Sequence, residues 1–257
     1  MSSQTTTPTL HHLSTSGAQR VLWALEELAH AHGLVYHLVA YARVRGLAPP
    51  ELKNIFPLGA SPIVVIADGL VPDAATAAAS PSPTVYQILP GVLTEARAIL
   101  EFFDREYALG LWTPDGFEDA RRDVFWTEFS VATLQMAVNQ PMIFDLLGQM
   151  APWFVRPLVR AINDPIAGFF RKRLPEKFQL MEDALRDDAR PWFSGRKMGL
   201  ADINMSWPLV LAVERGYVCS DRFPRLMDWY RRVTTREAYK RALGKGAAPW
   251  DPKRFNA

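Results

Sequence analysis

The chain has 257 residues, 49% apolar and 22% charged, with 29 lysines and arginines against 27 aspartates and glutamates. That length buries a sizeable core in one large or two medium domains, and the composition is that of a folded globular chain. A net charge of +2 leaves no basic footprint for nucleic acid, and the single cysteine, Cys219, excludes internal disulfides and cysteine-based zinc clusters. The opening MSSQTTTPT has neither the basic nor the apolar region of a signal peptide. The greasiest stretch, 141–162, is interrupted by Asp145, Arg156, Arg160 and three prolines, so it falls short of the ~20 apolar residues of a membrane span. A cytoplasmic protein is expected.

In chain order, 9–13 and 34–41 (LVYHLVAY) read as strands around a helix over 17–32, where Ala18, Val21, Leu22, Leu25, Leu28 and Ala29 recur at helical spacing. LAPPELKNIF starts a second helix on its prolines, where a missing N–H costs nothing. SPIVVIA and TVYQIL read as two further strands, and the Ala/Pro/Ser-rich stretch near 68–83 between them reads as a hairpin insertion. A helix over 94–107 closes this half. Everything later reads as helix: one long amphipathic segment from Phe117 to Met136, a proline-broken stretch over 141–175, then helices near 176–188, 200–214, 221–233 and 235–243. The expectation is an α+β chain with unlike domains, a βαβαββα domain over 8–108 and an all-helical domain over 114–245. WFVRPLVRAINDPIAGFFRKRL has the aromatic and arginine content of a segment lying on a membrane surface, but the prolines of this region are expected to break the helix such binding needs.

Three hydroxyls, Ser14, Thr15 and Ser16, stand just ahead of the first helix. They start it, or one of them holds an anionic group at its N-terminus. STSGAQRVLWALEEL, YARVRGLAPPELKNIFPLGASPIVVI, LTEARAILEFF and PWFSGRKMGLADINMSWPL, in this order, resemble the successive signatures of cytosolic glutathione transferases, in the serine-type branch of fungi and bacteria. The resemblance covers nearly the whole chain. It implies a thioredoxin-like N-terminal domain, an all-helical C-terminal domain, a homodimer, and glutathione as co-substrate or catalytic thiol without a metal.

The resemblance also assigns residues. Ser16 falls at the thiol-contacting serine, with Ser14 as the alternative and a plain N-cap as the structural reading. Pro62 matches a cis-proline that turns the Ser61 main chain toward the cysteinyl part of glutathione; on residue type alone a trans-proline opening a strand is expected. Glu95 matches an acid facing the γ-glutamyl amine, though a carboxylate in a helix's first turn also suits the dipole. The serine that usually follows this acid is replaced by Ala96, which leaves only a backbone N–H. A basic residue before S-P is replaced by Ala60, so Lys53 is the candidate for the glycyl carboxylate, against the plain reading of a solvated lysine. Gly17 and Ala18 replace polar residues that often follow the serine. Two missing contacts of ~1 kcal/mol each correspond to glutathione binding weaker by ~tenfold to a hundredfold.

Phe125, Phe129, Thr133 and Met136 recur at spacings of three and four on the long helix. They are candidates for the pocket of a hydrophobic second substrate between the domains, and equally for plain core. Asp202 occupies a capping-box position whose usual Ser/Thr partner is Gly199. The five histidines, 11, 12, 30, 32 and 37, form no metal-ligand pattern. Three functions remain open at this point: conjugation of glutathione to an electrophile, glutathione-dependent isomerisation of a double bond by addition and elimination, and a non-catalytic binding module.

Overall fold

The structure is a computed structural model that describes residues 7–66, 87–89 and 91–246. The insertion near 68–83 lies outside the described residues. Two compact units form, one from 7–109 with 237–246, the other from 110–236.

The first unit is a five-stranded mixed sheet with helices. Its strands are β1 (Thr9–Leu13), β2 (His37–Tyr41), β3 (Ile63–Val65), β4 (Gln87–Leu89) and β5 (Val92–Thr94), in the order β2-β1-β3-β5-β4. β1 and β2 are parallel, joined through α1 (Ala18–His32), and the other pairings are antiparallel. This is the thioredoxin-like arrangement with an added edge strand. α1 ends where its spacing predicts, because Gly33 takes φ +68° and the Gly33 and Leu34 N–H groups bond back to Ala29 and Leu28. Residues 20–28 of α1 are all buried, since the helix packs on β1, on α2 (Ala96–Tyr107) and on the last helix, α9 (Glu237–Lys245). Leu10, Leu22, Leu25, Val64, Leu93, Ile99 and Phe103 make the core beneath it.

Three expectations shift here. The second helix is only a 3₁₀ turn, Pro50–Asn54. The strand beside β3 is Val92–Thr94, so α2 starts at Ala96, and the described part of the TVYQIL segment, 87–89, is the edge strand. The final helix, expected to close the helical half, belongs with the first unit.

The second unit is all helical: α3 (Phe117–Glu128), a π-helical segment (Phe129–Leu134), α4 (Gln135–Met150), α5 (Arg156–Arg171), α6 (Leu174–Ala184), α7 (Leu200–Glu214) and α8 (Pro224–Thr234). The stretch expected to be proline-broken is two full helices. α4 runs through Pro141, and α5 through Pro165 with Pro157 in its first turn. At Pro165 the orphaned acceptor is the Ala161 carbonyl; both residues are exposed, so water meets it. Packing of α4 along α5 offsets the propensity loss, ~3 kcal/mol per interior proline. Trp126, Leu134, Phe178, Phe193, Ile203, Leu209, Phe223 and Trp229 fill the core.

α7 starts on two carboxylates, the half-buried Asp123, which accepts the Ala201 N–H at 2.9 Å, and the buried Asp202. Asp202 accepts from the N–H groups of Phe193, Ser194 and Gly199 at 2.9–3.2 Å and from the Trp229 indole at 2.7 Å. Burial pushes the Asp202 carboxyl up, and these donors pull it back. Its expected role in folding follows from those bonds.

Candidate active site

The turn from β1 into α1 carries the three hydroxyls. Ser14 continues the pairing with β2, its N–H donating to the Tyr41 carbonyl at 2.9 Å. Thr15 sits at φ +49°, a left-handed conformation uncommon for a β-branched residue, and this turns the chain sharply into the helix. Ser14 and Ser16 are buried, and Thr15 is half-buried. The Ser16 hydroxyl donates to the Leu13 carbonyl at 2.7 Å and accepts the Ala18 N–H at 3.2 Å. That is local capping chemistry, as the plain reading of this serine expects.

Arg43, two residues past the end of β2, ties the turn down. Its Nε donates to the Ser14 carbonyl and its Nη2 to the Thr15 carbonyl, both at 3.0 Å, while its own backbone N–H reaches Ser14 Oγ at 3.3 Å. Sequence reading passes over Arg43, because a contact spanning 29 residues leaves no local signature.

Ser61 joins β1 to β3. Its hydroxyl donates to the His11 carbonyl at 2.9 Å and accepts the Leu13 N–H at 3.0 Å, which extends the β1–β3 ladder through a side chain. The Ser61–Pro62 peptide is cis. Among the described residues, the Ser61 main chain enters no backbone–backbone hydrogen bond.

Glu95 follows from the register. Ile63 faces His11 on one side and Thr94 on the other, so the end of β1, Ser61 and Glu95 lie together at one end of these three strands. Glu95 is exposed at φ +65°, outside the ordinary range of a non-glycine residue. It heads α2, whose first residue, Ala96, is buried.

The N-termini of α1 and α2 thus open at the same strand ends; neither has an acidic residue in its first turn, and Glu95 stands at the N-cap of α2. The Ala18 and Gln19 N–H groups are already taken by Ser16 Oγ and the Ser16 carbonyl, so the pull on an anion there comes from the helix dipoles. Arg20 adds to that field. Its guanidinium lies beneath Gly17, Nη2 coming 3.2 Å from where a Cβ would stand. Burial pulls Arg20 down to about 10 against the opposing charge of Glu95, so it stays protonated at neutral pH.

Lys53 is exposed on the 3₁₀ turn, its stem close against Gly59, two residues before Ser61. Ala60, also exposed, adds no polar group. Ser16, Ser61, Pro62, Glu95 and Ala96 therefore gather at one end of the β1, β3 and β5 strands, and Lys53 borders the segment that enters it.

The four residues suggested for a second substrate lie in the helical unit. Phe125 and Phe129 stack at 6.0 Å, and Trp126 meets each edge-on at 5.0 and 5.1 Å. Phe125, Thr133 and Met136 are exposed and Phe129 is half-buried, so none is fully buried core. Phe129 and Thr133 fall in the π-helical segment, a distortion frequent at functional sites and invisible to a helical-period search. Phe125 also lines a groove of 780 Å3 along α3 with Arg121 and Arg122. Among the described residues no group of histidine, cysteine and acidic side chains has the geometry to hold a metal ion. Cys219 is an exposed free thiol.

Comparison with known proteins gives one consistent answer. The sequence model for "Glutathione S-transferase, C-terminal domain" matches residues 170–237. Glutathione S-transferase 3 of Schizosaccharomyces pombe is 30% identical over 245 residues, covering 92% of this chain and 86% of its own. Glutathione S-transferase 1 of Saccharomyces cerevisiae is 27% identical over 241 residues, covering 93% and 95%. The crystal structure of a glutathione S-transferase from Actinobacillus pleuropneumoniae superposes with a TM-score of 0.66 at 25% identity, over 96% of each chain. With that identity to the fission-yeast protein across nearly its full length, the chain belongs to the glutathione S-transferase family.

Proposed function

We propose that this protein is a glutathione-conjugating enzyme: it binds glutathione at the strand ends that carry Ser16, Ser61 and Glu95, and directs the thiolate onto a carbon of a hydrophobic electrophile. The observation that carries the reading is the convergence of the α1 and α2 N-termini and a buried, protonated Arg20 on the strand ends where, among the described residues, the Ser61 main chain makes no backbone–backbone hydrogen bond. The peptide backbone of glutathione would pair with Ser61 as an added strand. Glu95 would face the γ-glutamyl amine, the Ala96 N–H its carboxylate, and Lys53 the glycyl carboxylate. Phe125, Phe129, Thr133 and Met136 are our candidates for contact with the electrophile. The new S–C bond forms from the thiolate lone pair as the electrophile expels its leaving group or takes up a proton.

The energetics are demanding. A free thiol has a pKa of ~8.5, and lowering it by ~2 units takes ~2.7 kcal/mol. A helix N-terminus supplies up to ~2 kcal/mol, and a hydrogen bond to the anion ~1.5–3. To donate to sulfur, Ser16 must leave the Leu13 carbonyl, which takes back ~1 kcal/mol. Neither contribution suffices alone, so activation needs both the helix terminus and the hydroxyl.

Thiolate absorbance during a glutathione titration at slightly acid pH, wild type beside Ser16→Ala, tests this. A saturable thiolate signal in the wild type that the variant loses is the expected result. Saturable binding without thiolate in either protein would overturn enzymatic activation. It would support the second reading, a non-catalytic glutathione-binding module, which the commitment of the Ser16 hydroxyl to Leu13 favours. Glutathione consumption then separates conjugation from addition–elimination isomerisation, which returns the thiol. A homodimer belongs to the same proposal, and sedimentation equilibrium tests it.

A further inference from the structure

The half-buried Arg43 is held by backbone alone. Its Nε and Nη2 donate to the Ser14 and Thr15 carbonyls and its Nη1 to the Gly46 carbonyl, all at 3.0 Å. The Gly46 bond braces the guanidinium on its own loop, where Val44 and Leu47 exchange hydrogen bonds at 3.0 and 2.9 Å. Arg45 and Gly46 between them sit at φ +50° and +78°, the signs that a type I′ turn requires. One side chain thus locks two tight turns together across 28 residues of chain.

The turn it grips is the one that needs gripping. Thr15 sits at φ +49°, which a β-branched residue keeps only where its surroundings impose it. The Ser14 and Thr15 carbonyls belong to the two peptides that flank Thr15, so Arg43 pins both. The second peptide carries the Ser16 N–H. A trans peptide sets its N–H opposite its carbonyl, so the bond to the Thr15 carbonyl aims the Ser16 N–H away from the guanidinium. Among the described residues that N–H enters no backbone–backbone hydrogen bond, and no carbonyl competes with an anion for it.

Charge acts in the same direction. Leu13 pairs with Tyr41 in the parallel β1–β2 ladder, so Arg43 stands at the strand ends that carry Ser16. Burial pulls Arg43 below its ordinary value with no acidic group opposing it; Glu51 bears on Tyr41, not on Arg43. The guanidinium stays protonated, and three carbonyl dipoles leave its net charge intact. Beside it, Arg20 is matched by Glu95, so the balance of these groups is cationic and favours a thiolate over a thiol.

We propose that Arg43 is a positioning residue for the glutathione thiolate: it holds the Ser14–Thr15 turn so that Ser16 faces the sulfur, and its charge favours the anion. This role rests on the glutathione-conjugating reading above. The bound thiol is titrated by thiolate absorbance in wild type, Arg43→Gln and Arg43→Lys, beside calorimetric glutathione affinity at acid pH. Glutamine keeps a donor for a carbonyl without the charge, and lysine keeps the charge. Arg43→Gln should raise the pKa of the bound thiol by ~1, leaving ~tenfold less thiolate at neutral pH, with affinity for the protonated thiol within ~threefold of wild type. Arg43→Lys should stay within ~threefold of wild type in both readouts. Both comparisons are repeated on Thr15→Gly, which takes positive φ without strain, so the turn folds without the clamp. A thiol pKa unchanged in Arg43→Gln, or raised equally in Arg43→Lys, reduces Arg43 to a structural tie and overturns the proposal. A tenfold affinity loss at unchanged thiol pKa overturns it too, by placing Arg43 on the ligand. A wild type that binds glutathione without thiolate fails the functional reading and this role with it, whereas a thiolate that Arg43→Gln retains fails this role alone.

Discussion

Ser61 divides its labour between side chain and main chain. The hydroxyl holds β1 to the turn before β3, bonding the His11 carbonyl and the Leu13 N–H, while among the described residues the peptide groups enter no backbone–backbone hydrogen bond. Ser61→Ala should therefore cost ~1–3 kcal/mol of stability by orphaning two backbone groups. Glutathione affinity should change by well under tenfold, the equivalent of ~1.4 kcal/mol. Chemical denaturation beside calorimetric titration checks it, and an affinity loss beyond tenfold with stability intact would place the hydroxyl on the ligand. Ser16, Ser61 and Glu95 are legible in the sequence because each sits in a short motif at a fixed place in the chain. The hydroxyl's bond to Leu13 is not legible, nor is the Arg43 clamp. The first depends on a rotamer and the second on a strand crossing, and neither has a local pattern.

Elements were legible where periodicity or a cap marks them. β1 and α7 have their expected limits, and α1 ends at its glycine. The misreadings follow from tertiary packing. Pro141 and Pro165 read as breakers because propensity sees only one helix, whereas the α4–α5 contact supports both. The start of α7 shows the same limit at finer grain. Capping rules make Gly199→Ser neutral or stabilising. Space forbids it: a Cβ at 199 would lie 2.5 Å from Ser194 Oγ and 2.9 Å from Asp123 Oδ1. Ser194 cannot yield easily, since its hydroxyl donates to Asp123 at 2.6 Å and its N–H to Asp202. Gly199→Ser should therefore destabilise by ~1–3 kcal/mol, the range for overpacking a filled site. Adding Ser194→Gly removes the two closest of the colliding atoms, leaving Asp123 Oδ1, and should recover part of the loss in urea denaturation. A stabilised single variant would show that the turn gives way.

At the scale of the whole molecule, the first unit is closed by the end of the chain. α9 returns to α1, where Tyr239 meets Trp23 edge-on at 5.4 Å. Beside that contact the Glu26 carboxylate, 2% exposed, accepts Arg241 Nε at 2.8 Å, Lys245 Nζ at 2.5 Å and the Tyr36 hydroxyl. The partners are unequal, because Arg241 and Lys245 remain 39% and 51% exposed. Glu26→Gln releases two cations that water can solvate and should cost ~1–2 kcal/mol. Arg241→Ala/Lys245→Ala strands a buried carboxylate and should cost ~3–5 kcal/mol. Their pH dependences should also differ. Burial by itself would raise the Glu26 carboxyl, but the bonds from Lys245, Tyr36 and Arg241 and the charge of Lys245 outweigh it and hold it below its ordinary value of 4.5. With the folded value depressed, the wild-type contribution is present above about pH 4.5 and lost as pH falls through the folded value. In the double variant burial prevails, the folded value rises above the unfolded one, and acidification from neutral pH relieves the loss. Urea denaturation from pH 7 towards pH 4 should therefore show the gap between wild type and double variant closing, while Glu26→Gln keeps a constant offset until the wild type begins to titrate. A gap that stays constant over that range would mean that α9 is held by its apolar contacts alone.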